Sequence, residues 1–177
     1  MNKMEIIDFL NIDSSRLNAD IVVDKIEEDP DRFEEVWKLS VQDTSPLSMR
    51  ASRVIWLLAR KHPYFIEPHV QEIIESLKVI KSEGVKRNFV NILSLVSIPP
   101  QYSGILFDMC LQWIDSTTES IAVRANAMSI LYSISNTEPD LKPELISILE
   151  TIIPADSAGI EARARKLLVR LYKEIRH

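Results

Sequence analysis

One apolar pattern occurs three times in the second half of this chain. Val85, Phe89, Ile92, Leu93 and Val96 are matched by Val123, Ala127, Ile130, Leu131 and Ile134, and then by Ile160, Ala164, Leu167, Leu168 and Leu171. Each set lies on a single helical face. With Met49 as an earlier copy, the starting points stand 36, 38 and 37 residues apart. A period near 37 holds two helices and their turns. A unit that short cannot bury its apolar face alone and must stack on its neighbours, which is the logic of an α-solenoid. The Met49 copy fits least well, because Arg53 and Arg60 fall where apolar residues are expected. Either that helix is rotated, which is the preferred reading, or the two arginines serve a purpose of their own.

Helical periodicity runs through nearly the whole chain, with segments at 3–10, 17–28, 31–42, 46–61, 65–79, 82–97, 101–115, 119–136, 140–153 and 157–175. Prolines punctuate it. Pro68 and Pro143 fall in first turns, where proline is tolerated, and Pro63, Pro99 and Pro139 follow helices that they help to stop. Ser45-Pro46 reads as an N-cap with proline at the first helical position, and Ser116 to Glu119 has capping-box spacing. No joint is long enough for a structureless linker, so residues 1–177 read as one domain. The three glycines, Gly84, Gly104 and Gly159, are too few and too scattered for a phosphate-cradling loop, and they disfavour hairpin-rich β architecture.

Charge and cysteine content narrow the function classes. A net charge of −5 argues against a dedicated polyanion binder. Cys110 is the single cysteine, which excludes an intrachain disulfide and favours a reducing compartment. The acid-containing N-terminal run MNKMEIIDFLNID is not a secretory signal, and no apolar run approaches the roughly 20 residues of a membrane span. The expectation is a cytoplasmic protein without a cofactor.

Two places pair a hydrophobe with an arginine at the start of a second helix. Met49-Arg50 follows Asp43, and Val123-Arg124 follows Asp115. The pattern resembles HEAT repeats, in which a first helix ends near an Asp and Val-Arg opens the second. That resemblance implies a right-handed α-α superhelix, here of about four to five repeats. Each arginine is expected to bond an Asp or the exposed helix-end carbonyls of its own or the adjacent repeat. Lys86 and Glu161 (the latter after Asp156) break the series, so the ladder is expected at Arg50 and Arg124 only. The chain from about residue 45 to 175 is also similar to a family of small bacterial HEAT-like proteins, many of which carry the name adenylosuccinate lyase. The resemblance rests on Cys110-x-x-Trp113, the stretch Ala122–Met128, Pro143–Glu150 and Ala162-Arg-Ala-Arg165.

No motif supplies the general acid and base that a lyase elimination needs, so lyase activity is a remote alternative to a non-catalytic protein. His69 and Glu72, at i and i+3, are too few for a zinc site and read as a solvated face. His62 reads as a helix-end residue and Cys110 as a small buried one. Arg53, Trp56 and Arg60 share a helical face and could stack a nucleobase, although arginine stems covering a tryptophan is the blander reading. Polar residues flanking the apolar stripe of the second helices are candidate partner contacts: Asn88, Asn91, Asn126, Ser129, Arg163 and Lys166.

The two ends differ in charge. Residues 20–35 carry a net −6 and residues 161–177 a net +4. This fits polar capping of an array, or head-to-tail self-association. The favoured function is an interaction module whose concave face binds a protein or peptide, with a nucleic-acid-binding protein as the alternative.

Overall fold

A computed structural model describes residues 5–153 and 157–175, and among these residues every regular element is helical. The chain divides into two compact units, Met1–Val96 and Ser97–His177. In the first, six helices follow one another: α1 (Ile6–Ile12), α2 (Arg16–Glu28), α3 (Phe33–Val41), α4 (Leu47–Lys61), α5 (Val70–Ser76) and α6 (Glu83–Leu93). The second holds α7 (Pro100–Asp115), α8 (Ile121–Thr137), α9 (Lys142–Ile152) and α10 (Ala158–Ile175). Short 3₁₀ turns led by Pro30, Pro63 and Pro139 join helices, because proline fixes φ and gives up no hydrogen bond in a first turn.

Each unit is built around one central helix. In the first, α4 packs on α1, α2, α3 and α6; in the second, α8 packs on α7, α9 and α10. The core is aliphatic. Ile26, Ile55, Leu58, Ile73, Phe89 and Ile92 are fully buried in the first unit, as are Leu106, Ile130, Leu131, Leu145 and Leu171 in the second.

The repeat register emerges from the caps. The Ser82 hydroxyl accepts the Val85 N–H, and the Ser120 hydroxyl accepts the Val123 N–H. Val85, Val123 and Ile160, each three residues after a serine, are all buried. Ser45, Ser82, Ser120 and Ser157 stand 37, 38 and 37 residues apart, and they mark the repeat more regularly than the hydrophobe-arginine pairs do.

Counted from Ser45, the core face of α4 is Ser48, Ser52, Ile55 and Ala59, all buried. Met49, Arg53 and Arg60 lie off that face, and its remaining place is taken by Trp56, half-buried. The helix is therefore rotated by one residue relative to the sequence alignment, the preferred of the two readings. Two serines occupy its core positions because their hydroxyls are satisfied locally. Ser52 Oγ donates to the Met49 carbonyl, and Ser48 Oγ accepts the Thr44 N–H.

Two helix starts differ from expectation. Ser45-Pro46 does not cap α4: the residue before that helix is Pro46, and the Ser45 hydroxyl meets the Ser82 hydroxyl at 3.1 Å instead. Ser116 accepts the Glu119 N–H as its spacing suggested, but the bond closes a turn before α8, whose cap is Ser120.

Glycine also falls in register. Gly84 and Gly159 each follow their serine by two residues. A Cβ on Gly84 would come within 2.5 Å of Met49 Cγ, and one on Gly159 within 3.4 Å of Ile121. Gly84 lets α6 approach α4 closely, whereas a Cβ on Gly159 would make an ordinary contact with α8.

Candidate functional site: polar faces of the second helices

In the first unit, the arginines of α4 work on backbone carbonyls. Arg50 Nη1 donates to the carbonyls of Leu10 at 2.9 Å and Asn11 at 3.1 Å, at the C-terminal end of α1. A cation there meets the exposed carbonyls and the negative end of the helix dipole. Asp43, expected as its partner, does something else. Its carboxylate takes the N–H groups of Lys81 and Ser82, which lead into α6. Asp43 sits at φ 53°, a left-handed conformation that Asp tolerates better than most residues.

The Arg53, Trp56 and Arg60 constellation is only partly open. Arg53 Nη1 donates to the Ser14 carbonyl at 2.7 Å. Trp56 is half-buried, and its indole N–H is buried without an acceptor among the described residues. Arg60 is exposed and lies 5.4 Å from the Trp56 ring centroid. Arg60 also lines a cleft of about 190 Å³ with Arg16, Asp20, Leu57 and Lys61. Charges in this cleft are largely matched: Arg16 pairs with Asp20, and Lys61 with Glu27. The Lys61 ammonium, and then His62, hold the Glu27 carboxyl below the usual carboxylate range. Asp20 and Glu27, two of the eight acids of residues 20–35, are therefore paired with cations from outside that segment.

Asn88 is a correction to the set of candidate contacts. It is buried, at 8% exposure, and its amide donates to Ser52 Oγ at 2.9 Å and to the Met49 carbonyl at 3.3 Å. That amide ties α6 to α4 and does not face a partner. Asn91, one turn on, is half-exposed.

Of His69 and Glu72, read as a solvated face, Glu72 is exposed and His69 is largely packed in. His69 packs on Trp37 with ring centroids 4.3 Å apart and on Phe33 at 5.2 Å, between the carboxylates of Glu34 and Glu72. Glu72 also accepts the Trp37 indole N–H at 2.8 Å. This cluster closes α3 against the turn before α5, and sequence spacing could not pair Trp37 with a residue 35 positions away.

In the second unit, Arg124 Nε donates to the Ile114 carbonyl at 2.9 Å. It ties α8 to its own first helix, α7, whereas Arg50 reaches back to an earlier pair. The two arginines are therefore not equivalent rungs of one ladder. Asp115 is exposed and lines a cleft of about 190 Å³ with Ser147, Ile148, Thr151 and Ile152 of α9. Asp156 lies outside the described residues. Cys110 is fully buried, and burial pushes its thiol far up, which makes it a core residue and not a nucleophile.

Asn126 and Ser129 lie on α8 and Arg163 and Lys166 on α10, the helix packed against it. Arg163 Nη1 donates to Ser129 Oγ at 3.2 Å, and Asn126 and Ser129 are half-exposed while Lys166 is exposed. Sequence reasoning missed their neighbours. Arg170 lies 5.9 Å from the Tyr132 ring centroid, and Tyr132 donates its hydroxyl to Glu174. Lys142 reaches the other Glu174 oxygen at 2.8 Å. These bonds keep the Tyr132 hydroxyl protonated to higher pH and hold Glu174 below the usual carboxylate range. The missed signal is in the repeat itself: Tyr132 and Arg170 occupy nearly corresponding places in successive second helices.

Among the described residues, no group of three or more His, Cys, Asp or Glu side chains could hold a metal ion, and no helix is long and apolar enough to cross a membrane. The chain matches a family model described as a HEAT repeat domain over residues 7–171. No curated protein matches the chain, and neither does any solved structure.

Proposed function

The chain belongs to the HEAT repeat domain family, and we propose that it works as a non-catalytic interaction module that binds a protein or peptide. Arrays of such repeats present extended surfaces to their partners, and their second helices form the concave side. The observation that carries the reading is the division of labour along these helices. Arg50, Arg53 and Asn88 are consumed in holding the first unit together, and Ser129 is bonded to Arg163 in the second, whereas Asn91, Asn126 and Lys166 keep solvent-facing polar surface. Amide groups on a rigid helical face suit a peptide backbone, which needs both donors and acceptors. A cytoplasmic location belongs to the same proposal, as does the absence of lyase chemistry.

The alternative reading, a nucleic-acid binder using Arg53, Trp56 and Arg60, is weakened by the bond between Arg53 and Ser14 and by the half-burial of Trp56. Of the three, Arg60 is the exposed side chain.

The test is capture of partners from native lysate on the tagged chain, with and without nuclease, beside the Arg163→Glu/Lys166→Glu variant. The reading expects a nuclease-resistant protein retained by the natural chain and lost by the variant. Recovery of nucleic acid in its place, or equal retention by both chains, contradicts it.

A further inference from the structure

Two aligned rows of side chains run along the second helices of residues 97–177. Asn126, Ser129, Ser133 and Asn136 on α8 stand 37 residues before Arg163, Lys166, Arg170 and Lys173 on α10. Both rows step by three, four and three residues, so each forms one stripe on its helix. The α8 row is neutral and the α10 row is wholly cationic.

Among the described residues, Glu174 is the acid that acts on this row electrostatically, through Arg170. Helix α8 contains no Asp or Glu. The two acids of α10 are engaged elsewhere: Glu161 pairs with Arg165 at 2.6 Å, and Glu174 with Lys142 at 2.8 Å and with the Tyr132 hydroxyl. Among the described residues, no carboxylate forms an ion pair with Lys166, Arg170 or Lys173, and all three are exposed. Arg163 and Arg170 lean onto Ser129 and Tyr132, which holds the cationic row against α8. A chain of net charge −5 thus carries a stripe of positive charge in which Lys166, Arg170 and Lys173 make no direct ion pair among the described residues.

We propose that this stripe recognises an acidic segment of a protein partner, with Lys166, Arg170 and Lys173 gripping its carboxylates and Asn126 and Ser133 of the α8 row bonding its backbone. The inference rests on the interaction-module reading and names the chemistry of the partner. The cationic row is about 15 Å long at 1.5 Å per helical residue. That is the reach of roughly four to five extended residues. Arginine takes a carboxylate through two parallel bonds, while lysine acts as a compact point charge. A single-stranded nucleic acid is the poorer fit, because base recognition calls for an open aromatic platform. The aromatic ring on this surface, Tyr132, lies beneath Arg170, and its hydroxyl is held by Glu174.

Fluorescence anisotropy tests the proposal on the full chain. The probe is a fluorescein-labelled peptide of alternating Glu and Ser, compared with the same peptide carrying Gln for Glu. The Glu peptide should bind at least about tenfold more tightly than the Gln peptide, and added salt should weaken it. Lys166→Glu/Arg170→Glu should lower its affinity at least about tenfold, while Lys38→Glu on α3 changes it by less than about twofold. Circular dichroism and the urea midpoint establish that the variant is folded; if it is not, Lys166→Gln/Arg170→Gln supplies the same comparison.

Equal binding of the two peptides overturns the proposal, as does equal loss in the α3 variant or tighter binding of a labelled oligouridine. If the Glu peptide fails while the lysate partner is still captured and still lost by Arg163→Glu/Lys166→Glu, the acidic-segment inference falls and the module reading stands. Failure of the capture itself removes the module reading.

Discussion

At the residue scale, similar side chains have opposite duties, and the difference lies in what stands behind them. Asn88 and Asn91 are three positions apart on α6, yet Asn88 is buried against Ser52 and Met49 while Asn91 is half-exposed. Asn88→Ala leaves Ser52 and the Met49 carbonyl without that donor and should cost about 1–3 kcal/mol in urea unfolding. Asn91→Ala should stay within about 0.5 kcal/mol. The sequence shows both as polar residues beside an apolar stripe. It does not show that α4 presents Ser52 at that height, because a serine on a core face looks polar in any periodicity count. The arginines follow the same rule. That Arg50 and Arg124 would be structural was legible from the repeat, but the carbonyls they bond belong to the ends of α1 and α7, and only the packing brings those ends near.

At the element scale, most of the ten described helices follow from apolar spacing and proline placement, with ends shifted by a few residues. Helix α4 is the exception in register. As the centre of its unit it packs on four other helices, so apolar residues occur round much of its circumference and the stripe blurs. The serine caps resolve the ambiguity. Ser82 and Ser120 hold the first turns of α6 and α8, and replacing either with alanine should cost about 1 kcal/mol. The caps sit in different units and share no partner, so the double variant should lose close to the sum of the two costs, read as the shift in urea midpoint.

At the scale of the whole molecule, the family match over residues 7–171 agrees with the helix pattern, and the candidate surface was only half legible. The cationic face of α10 is visible in the sequence. Its lack of direct ion pairs at Lys166, Arg170 and Lys173 is not, because Glu161 and Glu174 are drawn into bonds with Arg165, Lys142 and Tyr132.

The acid pairs also set the pH response. Glu27 and Glu174 titrate below their ordinary values in the folded chain, through Lys61 and Lys142 first. Their contribution is fully present above the ordinary glutamate value of 4.5 and is lost as pH falls through the lower folded values. The urea midpoint should therefore hold level from neutrality to about pH 5 and fall below about pH 4.5. Glu27→Gln should flatten part of that decline.

We propose that this protein meets its partner through the polar rows of the second helices of residues 97–177. Lysine footprinting with a soluble acetylating ester tests it most directly, comparing the chain alone with the chain eluted with its captured partner. Lys166 and Lys173 should be modified more slowly in the complex, with Lys38 on α3 unchanged. Protection of Lys38 with Lys166 and Lys173 still fully reactive would place the interface on another face and contradict the claim.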